Sequence, residues 1–292
     1  MHRTVASSEC GTASDRHVAV AYSSDDEWAG HLLAFVRAGL RRDEQVRYFV
    51  DATDPGRVTR TLAEGGVDAL SAVRSGQLVV ATADETYLAG SRFDPDAMVG
   101  LWHEAVDAAA ARGFSGLRAI GEMSWGGRDM VGADRLLEYE LRIHREVFER
   151  LPLRAWCFYD RRLVPPAELE VLREAHLTAL TRPAAAPGEA PVLSVVPLEA
   201  VPGFRLVGSA GYENRHVVAS VAAALAASPA ERVTLDLSAL DHLDIGTLAE
   251  IVRAGRRSPA VAPLRLLGAP PAVHRLLRLF PELTADLEVA QS

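Results

Sequence analysis

Short apolar runs alternate with amphipathic stretches over residues 17–180. His17 to Tyr22 reads as a short buried strand. Ser24 with Glu27 matches a capping box and opens a helix through Trp28, Leu32, Phe35 and Val36. Val46 to Val50 reads as a second strand. Asp54-Pro55 is a helix start, with Asp as cap and Pro at the first helical position. A further short helix should end near Gly76. Leu78 to Ala81 is a strand, and Asp94-Pro95 opens a long helix to about Arg112. Leu117 to Gly121 is a strand, Leu136 to Phe148 a helix and Ala155 to Tyr159 a strand. Pro165-Pro166 opens a last helix. The alternation predicts an α/β fold with a doubly wound, mostly parallel sheet.

Residues 181–191 break the pattern, with three prolines and almost no bulky apolar side chain. They read as an extended, semi-rigid tether. A smaller α/β unit follows. Leu193 to Val196, Phe204 to Gly208, Val233 to Leu237 and Leu264 to Leu267 are its strand candidates. Asn214 to Ala227, Gly246 to Arg257 and Pro271 to Phe280 are its helices. The predicted organisation is a tail over 1–16, a domain over 17–180, a linker over 181–191 and a second domain over 192–292.

Apolar residues make up 49% and charged residues 24%, as in an ordinary globular protein. No apolar run reaches the roughly 18 residues of a membrane span, and Met1 to Arg16 lacks the apolar stretch of a signal peptide. A cytoplasmic location, away from the membrane, is expected. Cys10 and Cys157 suggest neither a disulfide framework nor a local metal site. The histidines show no HxH or HExxH spacing, so no metal and no cofactor is expected. Residues 1–191 carry 22 arginines and 29 acids, and residues 192–292 carry 9 and 10. An acidic first domain without a basic block argues against direct nucleic-acid binding. The chain has no lysine. That excludes a P-loop lysine, a Schiff-base lysine and a lysine general base.

The segment from Val233 to Leu248 contains Asp236-Leu237-Ser238 and then Asp244-Ile245-Gly246-Thr247-Leu248. It resembles the central signature of STAS domains, small α/β folds that include the anti-sigma-factor antagonists. The resemblance covers roughly 192–290 and implies a protein partner, an anti-sigma factor or a related regulator, bound through Asp244, Ile245, Gly246 and Thr247. The family's phosphorylated serine falls on Ile245, which has no hydroxyl, so the usual kinase switch should be absent there. Thr247 is a possible substitute. Asp244 can be a helix N-cap, a docking group or both. Ile245 can anchor a partner or pack inward.

Residues 17–180 resemble the MEDS sensory domain. The resemblance is carried by His17 to Tyr22, Ser91 to Asp96, Leu117 to Trp125, Leu137 to Glu140 and Cys157 to Arg161, most specifically by Gly121-Glu122-Met123-Ser124-Trp125. It implies sensing of a small molecule, such as an organic compound, or of stress. The topology also resembles RecA-like nucleotide-binding folds, but without a P-loop. The turn where one would sit, Ser23 to Glu27, has no glycine or lysine and carries carboxylates that repel phosphate. Strand C-terminal ends face the ligand crevice in open α/β sheets. Tyr22, Glu122, Trp125, Tyr159 and Asp160 fall at or just after such ends. With His17 they are the candidate ligand-binding residues. Each has a packing alternative: Glu122 can pair with Arg118 or Arg161, Trp125 can fill the core, and His17 leads a strand. Glu138 and Glu140 read as a solvated helix face or as partners of a nearby arginine.

These readings converge on a signalling regulator rather than an enzyme, with no catalytic residues assigned. The first domain would sense and the second would bind a protein. The alternatives are an enzyme of unknown chemistry in the first domain's crevice, with Glu122 or Asp160 as acid or base, and a scaffold that only binds proteins.

Overall fold

The computed structural model describes residues 16–176, 178–180, 193–260 and 262–290. The expected linker, 181–191, lies outside the described residues. In chain order, the first unit contains β1 (His17–Tyr22), α1 (Asp25–Leu40), β2 (Gln45–Val50), α2 (Pro55–Glu64), α3 (Ala69–Ser75) and β3 (Leu78–Thr82). It continues with α4 (Pro95–Ala111), β4 (Leu117–Glu122), α5 (Leu136–Ile143), β5 (Leu153–Asp160), α6 (Pro166–Glu174) and β6 (Thr178–Leu180). The strands form one sheet in the order β3-β2-β4-β5-β1-β6, and every pair is parallel.

Local signals placed these elements. Ser24 Oγ accepts from the Glu27 N–H at 3.2 Å, while the Glu27 carboxylate reaches back to the Ser23 N–H at 2.7 Å. The reciprocal bond thus lands one residue earlier than a capping box places it. Asp54 caps α2 through the Arg57 N–H, and Asp94 caps α4 through the Asp96 N–H. Gly76 closes α3 with φ of 71°, a left-handed position that glycine takes without steric cost.

The sheet has two differently built faces. Side chains alternate along each strand, so Val18, Val20, Val46, Tyr48 and Ile120 share one core with Trp28, Leu32 and Phe35 of α1 and with Val58 and Leu62 of α2. The opposite face presents Ala19, Ala21, Ala119, Gly121 and Ala155, all small. That low floor makes room for large side chains from α4 and α5, including Trp102 and Tyr139.

The helix expected over 136–148 changes pitch. It is α-helical to Ile143, and His144–Phe148 forms a π turn that keeps His144, Val147 and Phe148 buried. Every residue of α5 is buried, including Glu138, Glu140 and Arg142. The expected solvated face for Glu138 and Glu140 is therefore corrected. Helix α5 is buried all round, its charged residues paired or hydrogen-bonded, because protein covers it on every side. Glu138 does pair with arginine, accepting from Arg135 Nε and Arg142 Nη1 at 2.8 and 2.9 Å.

The second unit contains β7 (Leu193–Pro197), β8 (Gly203–Ala210), α7 (Arg215–Ala227), β9 (Thr234–Leu243), α8 (Ile245–Arg257), β10 (Leu264–Leu267), α9 (Pro271–Leu279) and β11 (Leu287–Ala290). Its sheet order is β11-β10-β9-β8-β7, antiparallel only between β7 and β8. Strand β9 runs six residues beyond the apolar segment that announced it. Its second half has two exposed positions for each buried one and carries register shifts against β8, so periodicity did not mark it. The units touch directly: α5 packs on α7 and α6 on β7, and Arg145 Nη2 donates to the Leu198 carbonyl at 3.0 Å. A cavity of about 490 Å³ lies at this contact, between Leu137, Val171 and Leu172 on one side and Leu193, Val217 and Ser220 on the other.

Candidate functional site

The sheet separates the residues expected to form one ligand pocket. Tyr22, Glu122 and Asp160 stand on the α1–α3 side, whereas His17, Trp125 and Tyr159 belong to the α4–α5 side. The first three are engaged by the chain itself. Glu122, buried to 2% exposure, accepts the Tyr48 hydroxyl at 2.8 Å on Oε1. Its Oε2 accepts the N–H groups of Asp51, Ala52 and Thr53 at 2.8, 3.0 and 3.0 Å. Three successive N–H groups form the kind of concavity that binds anions, and here the chain's own carboxylate fills it. Neither Arg118 nor Arg161 is the partner: Arg118 pairs with Glu44. The Tyr48 hydroxyl also accepts from Trp28 Nε1 at 2.8 Å. Burial first, and Glu122 beside it, push this hydroxyl well above its usual range, so it only donates to the carboxylate.

Asp160 is bridged by Arg162, whose Nη2 lies 2.7 Å away, and Arg162 reaches on to Asp25 at 3.1 Å. Asp25 also meets Arg57 at 2.7 Å. Bonds from Arg57 and then Arg162 hold its carboxyl below the ordinary value. Strands β1 and β5 lead to opposite sides of the sheet, so this is one of its topological switch points. An ion-pair chain occupies the crevice expected there. Tyr22 is buried beside it, edge-on to Phe158 at 5.7 Å.

The other face holds an aromatic cavity. Phe49, Tyr87, Phe93, Trp102, Trp125 and Tyr139 form its walls over the alanine and glycine floor, and its volume is about 20 Å³. That is room for about one water molecule. Phe93 lies 4.5 Å from Trp125 and edge-on to Tyr139 at 5.5 Å. Trp102 Nε1 donates to the Tyr139 hydroxyl at 2.7 Å, whereas Trp125 Nε1, buried beside Tyr87, makes no regular hydrogen bond.

His17 and Cys157 line this cavity and open onto a buried polar cluster. His17 Nε2 lies 3.2 Å from Glu140 Oε2 and 3.3 Å from Cys157 Sγ. His176 Nε2 faces the same Glu140 oxygen at 3.4 Å, and Tyr159 donates to Glu140 Oε1 at 3.0 Å. One donor atom from each of His17, Glu140, Cys157 and His176 lies within 4.8 Å of all the others. Burial holds His17 and His176 down to about 3, and raises both the Glu140 carboxyl and the Cys157 thiol. It favours the neutral form of all four.

Sequence reasoning grouped His17 and Trp125, which line one cavity, with Tyr22, Glu122 and Asp160 across the sheet, and missed Glu140, Cys157 and His176 as site residues. His17, Glu140, Cys157 and His176 come from four separated segments, so no spacing rule detects them. A signal was present in Leu136 to Ile143: Glu140 lies four residues from Leu136 and three from Leu137 and Ile143, on the apolar face of the helix, where an acid becomes buried.

Both the filled anion site and the aromatic cavity lie within a single recognisable unit. The family model described as MEthanogen/methylotroph, DcmR Sensory domain (MEDS) matches residues 16–177, more than half of the chain. The chain belongs to the MEDS family. The matched span runs from β1 through α6 and includes every residue of the cavity and the cluster. A sensory domain gives the protein a sensing or signalling role. No curated protein matches the chain significantly. Among the described residues, no helix is long and apolar enough to cross a membrane.

Beyond the MEDS span, Asp244 is the N-cap of α8, its Oδ1 accepting from the Thr247 N–H at 2.7 Å. Thr247 is buried and Ile245 is 38% exposed. The Asp244 N–H donates to the Ala210 carbonyl, so the turn after β8 lies beside it. That turn carries Tyr212, 75% exposed, with Arg215 over its ring at 4.6 Å. Tyr212 was not anticipated; its position after a strand end beside Gly211 is the signal that could have found it.

Proposed function

We propose that this protein is a two-domain signalling regulator without catalytic activity. The MEDS domain senses a small neutral organic compound in the aromatic cavity, and a STAS-like domain binds a protein partner of the anti-sigma-factor class. One observation carries the reading: α5 is a wall of the cavity through Tyr139 and packs on α7 of the second domain. A change in how the cavity is filled must move or stiffen the helix on which the second domain rests. The π turn continuing α5 adds support, since such turns are frequent at functional sites.

The ligand class follows from the walls. Aromatic rings and the thioethers of Met98 and Met123 favour an apolar body, and the Trp125 N–H, without a regular hydrogen bond, favours one hydrogen-bond acceptor. A ligand larger than a water molecule needs the cavity to widen, so binding and movement of α5 are linked. The coupling expected of such a device is about 1–3 kcal/mol.

For the output side, the STAS resemblance supports a docking loop at Asp244 to Thr247, where Ile245 stands partly exposed and the turn that carries Tyr212 lies beside Asp244. Thr247 is buried with its N–H held by the cap, which argues against it as a replacement phosphorylation site.

The test is Ile245→Asp in the whole chain, titrated against the anti-sigma factors of its host by calorimetry. Burying one isoleucine side chain contributes about 1.5–3 kcal/mol, so affinity should fall at least about tenfold with the melting temperature unchanged. Equal affinity for both proteins would remove this loop from the interface.

A further inference from the structure

We infer that His17, Glu140, Cys157 and His176 bind a divalent, borderline-soft metal ion, with Zn²⁺ the best match. The inference rests on the geometry of the cluster and not on the proposed ligand or partner.

The orphaned atoms come first. His176 Nδ1 lies 2.8 Å from the Leu172 carbonyl, a contact that only an N–H can make. Nδ1 therefore carries the ring proton, and Nε2 of the neutral ring is a bare lone pair. It points at Glu140 Oε2, 3.4 Å away, and neither atom has a hydrogen-bond partner. Both side chains have no exposure to solvent. Two acceptors facing one another in a dry core repel unless a cation or a proton lies between them.

Three of the six separations fit a tetrahedral ion, and the widest, within 4.8 Å, would close by about 1 Å on binding. Bonds of about 2.0–2.1 Å to nitrogen and oxygen and about 2.3 Å to sulfur put tetrahedral ligand atoms about 3.3–3.6 Å apart. The separations of 3.2, 3.3 and 3.4 Å along His17–Glu140, His17–Cys157 and His176–Glu140 lie at or next to that edge length. Charge fits as well. A divalent ion with one thiolate, one carboxylate and two neutral imidazoles is neutral overall, which a core without water requires. A thiolate with two imidazoles selects zinc and its neighbours over magnesium or calcium.

Outer contacts that orient metal ligands are already present. Tyr159 holds Glu140 Oε1 and leaves Oε2 free, and the Leu172 carbonyl sets the His176 tautomer. His144 Nε2 lies 3.2 Å from the Ala175 carbonyl and so carries its own ring proton, which makes His17 Nδ1, 3.4 Å away, the acceptor and puts the His17 proton on Nε2. An ion would displace that proton, and His144 would turn over to accept from His17 Nδ1. His144 begins the π turn, so an ion here would also brace the end of α5.

The test uses the full chain, refolded under reducing conditions after chelation, with Co²⁺ as a spectroscopic probe. About one equivalent should bind with a thiolate-to-cobalt charge-transfer band. The band should vanish in Cys157→Ser and persist in Cys10→Ser. Zn²⁺ well above its Kd should raise the melting temperature by about 10 °C. Should Cys157→Ser fail to fold, Tyr159→Phe, which keeps every ligand, should bind Co²⁺ about 10–100-fold more weakly. Three results would each overturn the inference: no charge-transfer band with the wild-type chain, a band that survives Cys157→Ser, or unaltered Co²⁺ affinity in a folded Tyr159→Phe. The lone pairs would then be bridged by a proton alone.

Discussion

Glu122→Ala should lower the melting temperature of the MEDS domain by about 10 °C, corresponding to about 3–5 kcal/mol. The carboxylate receives four donors, the Tyr48 hydroxyl and three successive backbone N–H groups. Alanine leaves all four without that acceptor at a buried position. Glu122→Gln should lose about half as much, because its oxygen still accepts while its NH₂ group faces other donors. The transition can be followed by tryptophan fluorescence, since Trp28, Trp102, Trp125 and Trp156 all belong to this domain. A fall of less than about 2 °C would mean that water replaces the carboxylate in the loop after β2. A Glu122→Gln variant of wild-type stability that lost small-molecule binding would return the residue to the ligand site.

The second large effect belongs to the other sheet. Gly203 opens β8 with φ of 141°, a conformation that L side chains rarely adopt. A Cβ there would lie 1.7 Å from the Thr234 carbonyl oxygen of the neighbouring β9. Gly203→Ala must therefore separate β8 from β9 as well as strain its own backbone, and should cost about 4 kcal/mol or more. Far-UV circular dichroism should show an early transition in that variant, with the tryptophan transition shifted much less. Coincident shifts of both probes by the same amount would show that the α5–α7 contact makes the two domains one cooperative unit. An unchanged unfolding curve would mean that β8 can start later without loss.

The two variants also separate what local sequence carries from what packing supplies. The Asp54-Pro55 and Asp94-Pro95 starts, the Gly76 stop and the apolar strand cores each involve groups a few residues apart, and all appear where the pattern puts them. Strand β6 was missed because it is three residues long, too short for a period to register, and β11 because it is an edge strand with no fully buried position. The π turn was missed because its sequence is as amphipathic as the α-helix before it.

From the sequence alone came the two α/β units, the parallel sheet of the first, the MEDS membership and the absence of any lysine chemistry. Those properties depend on the order of apolar and polar residues, on caps and on local motifs, which act over one or two turns or strands. Tertiary structure decided which face of the sheet each side chain meets. One residue of phase along a strand moves a side chain through the sheet, so Glu122 and Tyr159, both near strand ends, face opposite cores. Tertiary structure also gathered His17, Glu140, Cys157 and His176 from β1, α5, β5 and the residue after Ala175 into one dry cluster. Groups more than 100 residues apart meet only when the whole sheet closes, and the desolvation that gives them their chemistry exists only in the packed core.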